Sequence, residues 1–201
     1  MRKSISASNR SGSHTIVVIG GSAGSIELII KLLKVLPKQL NVSIVIVVHR
    51  MRNINSNLEK IFLSKSNVFC IKEADEKEKI QKGCIYIAPS NYHLLFEEDE
   101  TFSLDYSEPI NFSRPSIDVS FESAADVFGR DLVLILLSGA NDDGSKGMAY
   151  AKENGAITIV QDPQEAEYKI MPASAIKNFQ PHHIWGIKEI SSFIKDLNKS
   201  V

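Results

Sequence analysis

Long uninterrupted runs of aliphatic side chains are the strongest pattern in this chain. They cover residues 15–19, 43–48, 132–137 and 156–160. Runs of this length that are rich in Val, Ile and Leu are typical of strands buried on both faces of a parallel sheet. Because such strands need covering helices on each side, the runs predict an α/β fold.

Helical patterns follow these runs along the chain. The first consists of Ile26, Ile29, Ile30, Leu33 and Leu36, and it predicts a helix that ends before Pro37. Further helices are predicted around residues 58–62, at 116–128 and 145–154, after Met171, and at 187–197. The alternation of strands and helices predicts a doubly wound, mainly parallel sheet with helices on both faces.

The middle of the chain departs from this alternation. Residues 73–82 are highly charged and predict an exposed stretch, whereas residues 84–88 predict a strand. Residues 92–96 and 101–104 flank four acidic residues and predict an antiparallel β-hairpin at one edge of the sheet. We interpret its acidic tip as solvated rather than as a metal site. A later pair, His182 and His183, is assigned to a loop.

The two ends of the chain set the predicted domain boundaries. Residues 1–13 are polar and rich in Ser, which predicts a disordered lead-in. Residues 14–201 are then interpreted as a single domain, since no internal repeat or second domain is recognisable. No apolar run approaches the roughly 18 residues needed to span a bilayer. The N-terminus also lacks the apolar core of a signal peptide, so we expect no membrane insertion and a cytoplasmic location.

Charge and cysteine content narrow the function classes. The chain carries 23 Lys and Arg residues against 24 Asp and Glu residues, for a formal net charge of −1. That balance provides no global field toward nucleic acid, so no nucleic-acid partner is expected. Cys70 and Cys84 both lie in apolar segments. They are interpreted as small buried hydrophobes, with a disulfide as the minor alternative.

Three of the predicted strands lead into candidate catalytic residues. The first leads into Gly20-Gly21-Ser22-Ala23-Gly24, which matches the G-x-S-x-G pattern of a nucleophile turn between a strand and a helix. The second ends at His49, and the third precedes Asp143. Since the carboxyl ends of parallel strands form the ligand-binding edge of such sheets, these side chains are predicted to meet there. Ser22 would be the nucleophile, His49 the base and Asp143 the group that orients the imidazole.

The same residues are also compatible with other interpretations. A glycine-rich turn after a first strand also begins dinucleotide-binding folds. However, the G-x-G-x-x-G spacing is absent, and the second strand ends in His49 rather than an acidic residue. Asp142 or Asp143 could simply cap a helix. Together with Asn141 they could also suggest a magnesium site, but no phosphate-loop lysine accompanies them. The pattern therefore favours acyl-group hydrolysis.

Several ordered blocks resemble the catalytic domain of the chemotaxis protein-glutamate methylesterases (CheB-type). They comprise the Ser22 turn, the strand ending in His49, Tyr86-Ile87-Ala88-Pro89, Ser113-Arg114-Pro115-Ser116-Ile117-Asp118, Leu137-Ser138-Gly139, Asp143-Gly144, Gln161-Asp162 and Met171-Pro172. The resemblance covers residues from about 15 to 178. It implies a Ser22–His49–Asp143 triad with no metal and no organic cofactor. It also implies methylated chemoreceptor helices as substrate, with glutamine deamidation as a related reaction.

The resemblance also assigns secondary roles and marks departures. Arg50, Arg114, Ala23, Ala140 and Met171 are the expected substrate-binding residues, and Arg52 is a further candidate to face acidic receptor helices. Backbone N–H groups of residues 21–24 and 139–141 are expected to hold an oxyanion. A separate response regulator or kinase is a possible partner, because the chain has no room for a receiver domain. Ala23, Ser25 and Arg50 depart from the family pattern, so the alternative is a catalytically weakened binding or regulatory module.

Overall fold

The structure is a computed structural model that describes residues 15–50, 57–68, 70–110 and 112–199. Its strands are β1 Ile16–Gly21, β2 Ser43–Val48, β3 Ile71–Glu73, β4 Ile85–Ile87, β5 His93–Phe96, β6 Phe102–Asp105, β7 Leu132–Leu136, β8 Ile157–Gln161 and β9 His183–Trp185. Its helices are α1 Ser25–Val35, α2 Leu58–Lys65, α3 Ile117–Phe128, α4 Ser145–Glu153, α5 Ile170–Asn178 and α6 Ile187–Leu197.

A seven-stranded parallel sheet forms the centre of the protein, in the order β3-β4-β2-β1-β7-β8-β9. Every residue of β1, β2 and β7 is buried, as expected for strands covered on both faces. One face packs against α3, α4, α5 and the hairpin, and the other against α1, α2 and α6. These features confirm the predicted doubly wound α/β fold.

The hairpin of β5 and β6 forms a two-stranded antiparallel sheet of its own. It contacts α3 through residues such as Leu94 and Phe96, which join the core on that face. The chain that follows β3 runs beside β6, where the backbones of Lys79 and Thr101 form an isolated antiparallel β-bridge. The predicted hairpin is therefore present, and it packs beside the main sheet rather than extending it.

Two short strands and one covalent bond correct the sequence-based prediction. The charged stretch predicted to be exposed from Glu73 onward begins inside β3, and His183 begins β9 rather than lying in a loop. Three-residue strands are too short to show a hydrophobic period, and pairing with a neighbour determines them. Cys70 and Cys84 form a disulfide instead of packing as free thiols. They directly precede the paired residues Ile71 and Ile85, and this cross-strand register is not visible in the sequence.

Some predictions fall outside the described part of the chain. The disordered lead-in of residues 1–13 and the domain boundary after it remain predictions, as does the role of Arg52. Among the described residues, none of the helices combines the length and the apolar character that a membrane crossing requires.

Candidate active site

The three predicted catalytic residues lie at the carboxyl ends of adjacent strands. Gly21 of β1 is aligned with Val48 of β2, so Ser22 and His49 are the next residues of two neighbouring strands. β7 pairs with the other side of β1 and leads into the turn that contains Asp143. The helix that follows β1 and the helix that follows β7 lie on opposite faces of the sheet. The site therefore occupies the topological switch point, where α/β sheets bind ligands.

Close packing and backbone hydrogen bonds fix the turn that carries Ser22. The Ser22 N–H donates to Ser138 O at 2.9 Å, and the Ser25 hydroxyl donates to Ser22 O at 2.6 Å. A Cβ on Gly21 would lie 2.6 Å from Ser25 Cβ, so that position excludes a larger residue. Gly24 has φ of 75°, which favours glycine. Ser25, a departure from the family pattern, thus helps to hold the carbonyl of the nucleophile candidate.

Asp143 is completely buried and accepts hydrogen bonds on both carboxylate oxygens. Its Oδ2 accepts from the His49 ring at Nε2 (2.8 Å) and from the Ile117 N–H (2.7 Å). Its Oδ1 accepts from the Asp118 N–H (2.9 Å), the Ser116 hydroxyl (3.1 Å) and its neighbour's N–H at Gly144 (3.0 Å). Because donors on several sides bind both oxygens, the carboxylate is held in one orientation.

The N-terminus of α3 is the main support of this carboxylate. Ile117 and Asp118 are the first two residues of α3, and their N–H groups have no partner within the helix. Burial by itself would raise the pKa of Asp143, but the hydrogen bonds from His49, Asp118 and Ile117 outweigh it and hold that pKa below its ordinary value. Asp143 is therefore ionised at neutral pH and suited to stabilise an imidazolium on His49.

The hydrogen bond to Asp143 also determines which nitrogen of His49 can act as a base. A carboxylate only accepts, so Nε2 carries the proton and Nδ1 is left with its lone pair. The Ser113 hydroxyl lies 3.4 Å from Nδ1, a long hydrogen bond. Between Ser22 and His49, both of which the structure describes, no side-chain hydrogen bond forms. Catalytic contacts of this kind are often loose before substrate binds.

Only part of the predicted oxyanion site has donors available. The N–H groups of Ser22 and Gly139 donate to Ser138 O and Tyr168 O, so both are already used. Within the described residues, the N–H groups of Ala23 and Ala140 have no hydrogen-bond acceptor. The Ala23 N–H directly follows Ser22 and lies near the N-terminal end of α1 and its partial positive charge. The Ala140 N–H lies in the turn that begins at Ser138, whose carbonyl accepts the Ser22 N–H.

Met171, another predicted substrate-binding residue, is fully buried beneath the same turn. Its N–H donates to Gly139 O at 3.0 Å. A Cβ on Gly139 would lie 2.5 Å from Met171 Sδ. In this structure Met171 thus supports the Gly139 turn from below and is not exposed to solvent.

Both described arginines of the predicted set have partners within the protein. Arg50 forms a 2.5 Å ion pair with Glu73 at the end of β3, and its side chain is only 6% exposed. Arg114 lies 4.0 Å from the centre of the Tyr106 ring and donates to Tyr106 O at 2.9 Å. Either guanidinium would have to reach an acidic substrate from a position that is already fixed.

Sequence analysis assigned no role to three residues that shape the site. Ser116 and Asp118 hold the Asp143 carboxylate, and Ser138 accepts the Ser22 N–H and places its hydroxyl 2.8 Å from Ala23 O. The signal for the first two was Pro115, which marks a helix start and therefore a set of unpaired N–H donors. Ser138 had no signal beyond its place after a strand.

The assembled groups suit attack by a hydroxyl on an acyl carbon. A serine at a tight turn, an imidazole with one nitrogen available and a buried ionised carboxylate occupy adjacent strand ends, beside unpaired backbone N–H donors. In the described part of the chain, no group of three or more His, Cys, Asp or Glu side chains is arranged to hold a metal ion.

Known proteins resemble this chain in sequence and in fold. The chain matches the family model described as CheB methylesterase over residues 17–194. A Leptospira interrogans protein with the provisional name protein-glutamate methylesterase/protein-glutamine glutaminase is 42% identical over 187 residues, which cover 93% of this chain and 96% of that protein. A Clostridium acetobutylicum protein-glutamate methylesterase/protein-glutamine glutaminase is 32% identical over 84% of this chain and 49% of its own length. The crystal structure of the Thermotoga maritima CheB methylesterase catalytic domain aligns with a TM-score of 0.86 at 30% identity, covering 92% of this chain and 99% of that one.

Proposed function

Because this chain belongs to the CheB methylesterase family, we propose that it is a serine hydrolase that demethylates glutamate γ-methyl esters of chemoreceptors. Ser22, His49 and Asp143 are its proposed catalytic triad. The observation that carries the proposal is the buried Asp143–His49 hydrogen bond, because it leaves Nδ1 of His49 unprotonated at the strand end next to Ser22.

Acylation follows from these positions. The Ser22 oxygen attacks the ester carbonyl while His49 takes its proton on Nδ1, and Asp143 stabilises the imidazolium that results. The N–H groups of Ala23 and Ala140 donate to the negative oxygen of the tetrahedral intermediate. One such donor typically contributes about 10²–10³ in rate. The intermediate collapses, His49 returns the proton to the leaving methoxide, and methanol departs.

Deacylation repeats the cycle with water. His49 takes a proton from the water that attacks the glutamyl–Ser22 ester, and then returns it to the Ser22 oxygen as the acyl bond breaks. The products are a free glutamate side chain and the regenerated hydroxyl. A glutamine side chain would reach the same glutamyl–Ser22 ester through a tetrahedral intermediate that carries an amino group in place of methoxide. Ammonia would then be the leaving group, so deamidation is the proposed second reaction. No step uses a metal or an organic cofactor.

The proposed substrate is the cytoplasmic helical region of a methylated chemoreceptor, and the proposed location of the protein is therefore the cytoplasm. A separate response regulator or kinase is a proposed regulatory partner. Arg50 and Arg114 are proposed to face acidic receptor side chains. Replacing either by Ala should raise KM several-fold and leave kcat within about twofold, because binding energy shared by ground and transition states affects KM alone. An unchanged KM in both variants would remove the arginines from the substrate site.

Methanol release from a methylated receptor tests the activity directly. The wild type should release it, and a fluorophosphonate probe should label Ser22. Ser22→Ala should abolish both signals. Full methanol release by that variant would refute the triad.

The second candidate is a binding or regulatory module with weakened turnover. The absence of a hydrogen bond between the described side chains of Ser22 and His49 favours it, together with Ala23 beside the nucleophile. This candidate predicts receptor binding with neither methanol release nor probe labelling. Labelling of Ser22 at a rate that depends on His49 would count against it.

A further inference from the structure

The helices α3 and α4 cap each other at the catalytic site. Asp143, just ahead of the α4 N-cap Gly144, accepts the N–H groups of the first two residues of α3. In return, Asp118 Oδ1 accepts the N–H of Gly147, the third residue of α4, at 2.8 Å. The N–H of Asp118 itself is one of those that bind Asp143. One residue thus contacts the catalytic carboxylate and also holds the helix that follows it.

No other side chain described in the structure performs this capping. The N-cap residues Ser116 and Gly144 form no side-chain capping hydrogen bond to their own helices. The two helices are also in close contact, because a Cβ on Gly147 would lie 2.7 Å from both Asp118 O and Phe121 Cβ. Since unpaired N–H groups at buried helix ends are costly, the reciprocal caps fix α4 and the Asp143 turn relative to α3.

Asp118 is 7% exposed, and its carboxylate lies close enough to that of Asp143 for the two charges to interact. Burial raises its pKa to about 6, the Gly147 N–H opposes this rise, and the charges of Asp143 and Glu122 add to it. Around it are Asp143, Glu122 on α3 and Lys146 on α4, with His49 beyond Asp143. The charge on Asp118 therefore changes in the pH range where an imidazole titrates.

We propose that Asp118 is a positioning residue of the catalytic site, whose carboxylate holds the N-terminus of α4 and thereby keeps Asp143 in hydrogen-bonding contact with His49. It touches no substrate. Its negative charge acts in the same direction as that of Asp143 on the positive charge that develops at the base during the reaction. The inference rests on the proposed function only in taking Ser22 as the nucleophile that His49 activates.

The test compares Asp118→Ala with Asp118→Asn, which keeps a side-chain carbonyl for the Gly147 N–H but removes the charge. The readouts are the pH dependence of Ser22 labelling by a fluorophosphonate, kcat and KM for methanol release, and thermal unfolding of each variant. Glu122→Gln is the matched control, since Glu122 lies one turn further along α3 and forms no hydrogen bond to α4 in the described structure.

The Ala variant should lose about 10- to 100-fold in labelling rate and kcat, with KM within about twofold, because small displacements of catalytic groups have effects of that size. The Asn variant should keep its plateau rate within about threefold and shift the acid limb to lower pH by about half a unit. The Glu122→Gln control should keep the wild-type plateau rate.

A folded Ala variant with wild-type labelling rate and pH profile would overturn the proposal. Equal rate losses in the Ala and Asn variants would also overturn it, because the retained carbonyl would then have no role. If the Ala variant does not fold, the Asn variant decides: an unshifted acid limb refutes the proposed role. A wild type that labels Ser22 but releases no methanol contradicts the proposed function alone, since the labelling comparison remains valid.

Discussion

Asp143 and Ser22 lie at neighbouring strand ends, yet their surroundings differ in how completely polar atoms are paired. Asp143 is fully buried, and both of its oxygens accept hydrogen bonds from backbone, hydroxyl and imidazole donors. Ser22 is partly exposed and held only through its backbone. Its hydroxyl forms no hydrogen bond to another described residue.

This difference separates two requirements of acyl transfer. The group that stabilises the imidazolium must be oriented before the reaction, since reorganising a buried charge during the reaction would add to the barrier. The nucleophile must stay accessible to the carbonyl and exchange its proton with His49 as substrate arrives. We therefore expect the Asp143 side of the site to govern both stability and activity, and the Ser22 side to govern activity alone.

The largest effect is expected from Ser22→Ala, which should change activity without changing stability. Ser22→Ala should lower probe labelling and methanol release by at least about 10³-fold, since loss of a nucleophile removes the covalent route. Thermal unfolding should be unchanged, because the hydrogen bonds that hold the turn use the backbone of Ser22 and the side chain of Ser25. A marked fall in unfolding temperature would show that the hydroxyl has a structural role.

Asp143→Asn should affect stability as well as rate. Activity should fall by about 10²–10⁴-fold, because the imidazolium loses its counter-charge and its orienting group. Unfolding should become easier by about 2–3 kcal/mol, since the amide NH₂ would face N–H donors and the charge-assisted bonds to α3 would be lost. Asp142→Asn is the control, because Asp142 is exposed and adjacent. Equal unfolding free energies for the two variants would contradict the distinction drawn above.

The same contrast explains what sequence analysis could predict. Ser22, His49 and Asp143 were accessible because each follows a long buried strand, and parallel strands end together. The support of Asp143 was not accessible, because it depends on α3 and α4 meeting. Asp118 is 25 residues from Asp143 in the chain.

Short-range signals were weaker still for β3, β9 and the disulfide. β3 has only three residues, and its register with β4 is what brings Cys70 beside Cys84, with their Cα atoms 4.8 Å apart. Tertiary pairing rather than local composition determines such contacts. Sequence analysis therefore located the reacting groups and missed the contacts that orient them.

The close packing around Asp143 makes folding stability depend on the ionisation of Asp118. Its pKa is raised from 3.8 to about 6 on folding, so the folded state favours the protonated form. Stability from this group is therefore full below about pH 4 and is lost as pH rises through 6. Asp143 has the opposite sign, because its pKa is lowered on folding and its contribution to stability is lost as pH falls. This contribution is the same in the wild type and in a variant that differs only at Asp118.

Asp118→Asn removes the Asp118 titration. The unfolding temperature of this variant relative to wild type should thus rise between about pH 4 and pH 7, as measured by calorimetry at several pH values. A difference that stays constant over that range would mean that Asp118 does not titrate there.

The smallest effect is expected from a change at Ser113, on the Ser22 side of the site. The Ser113 hydroxyl lies 3.4 Å from His49 Nδ1, so it competes with Ser22 for the same lone pair. A bond of that length is weak, and Ser113→Ala should therefore change the labelling rate and kcat by no more than about threefold, with a rise favoured over a fall. Its unfolding temperature should match that of Ser22→Ala. A loss of activity as large as that of Ser22→Ala would instead assign the nucleophile to Ser113, since among the described residues it is the Ser113 hydroxyl that forms a hydrogen bond with the base.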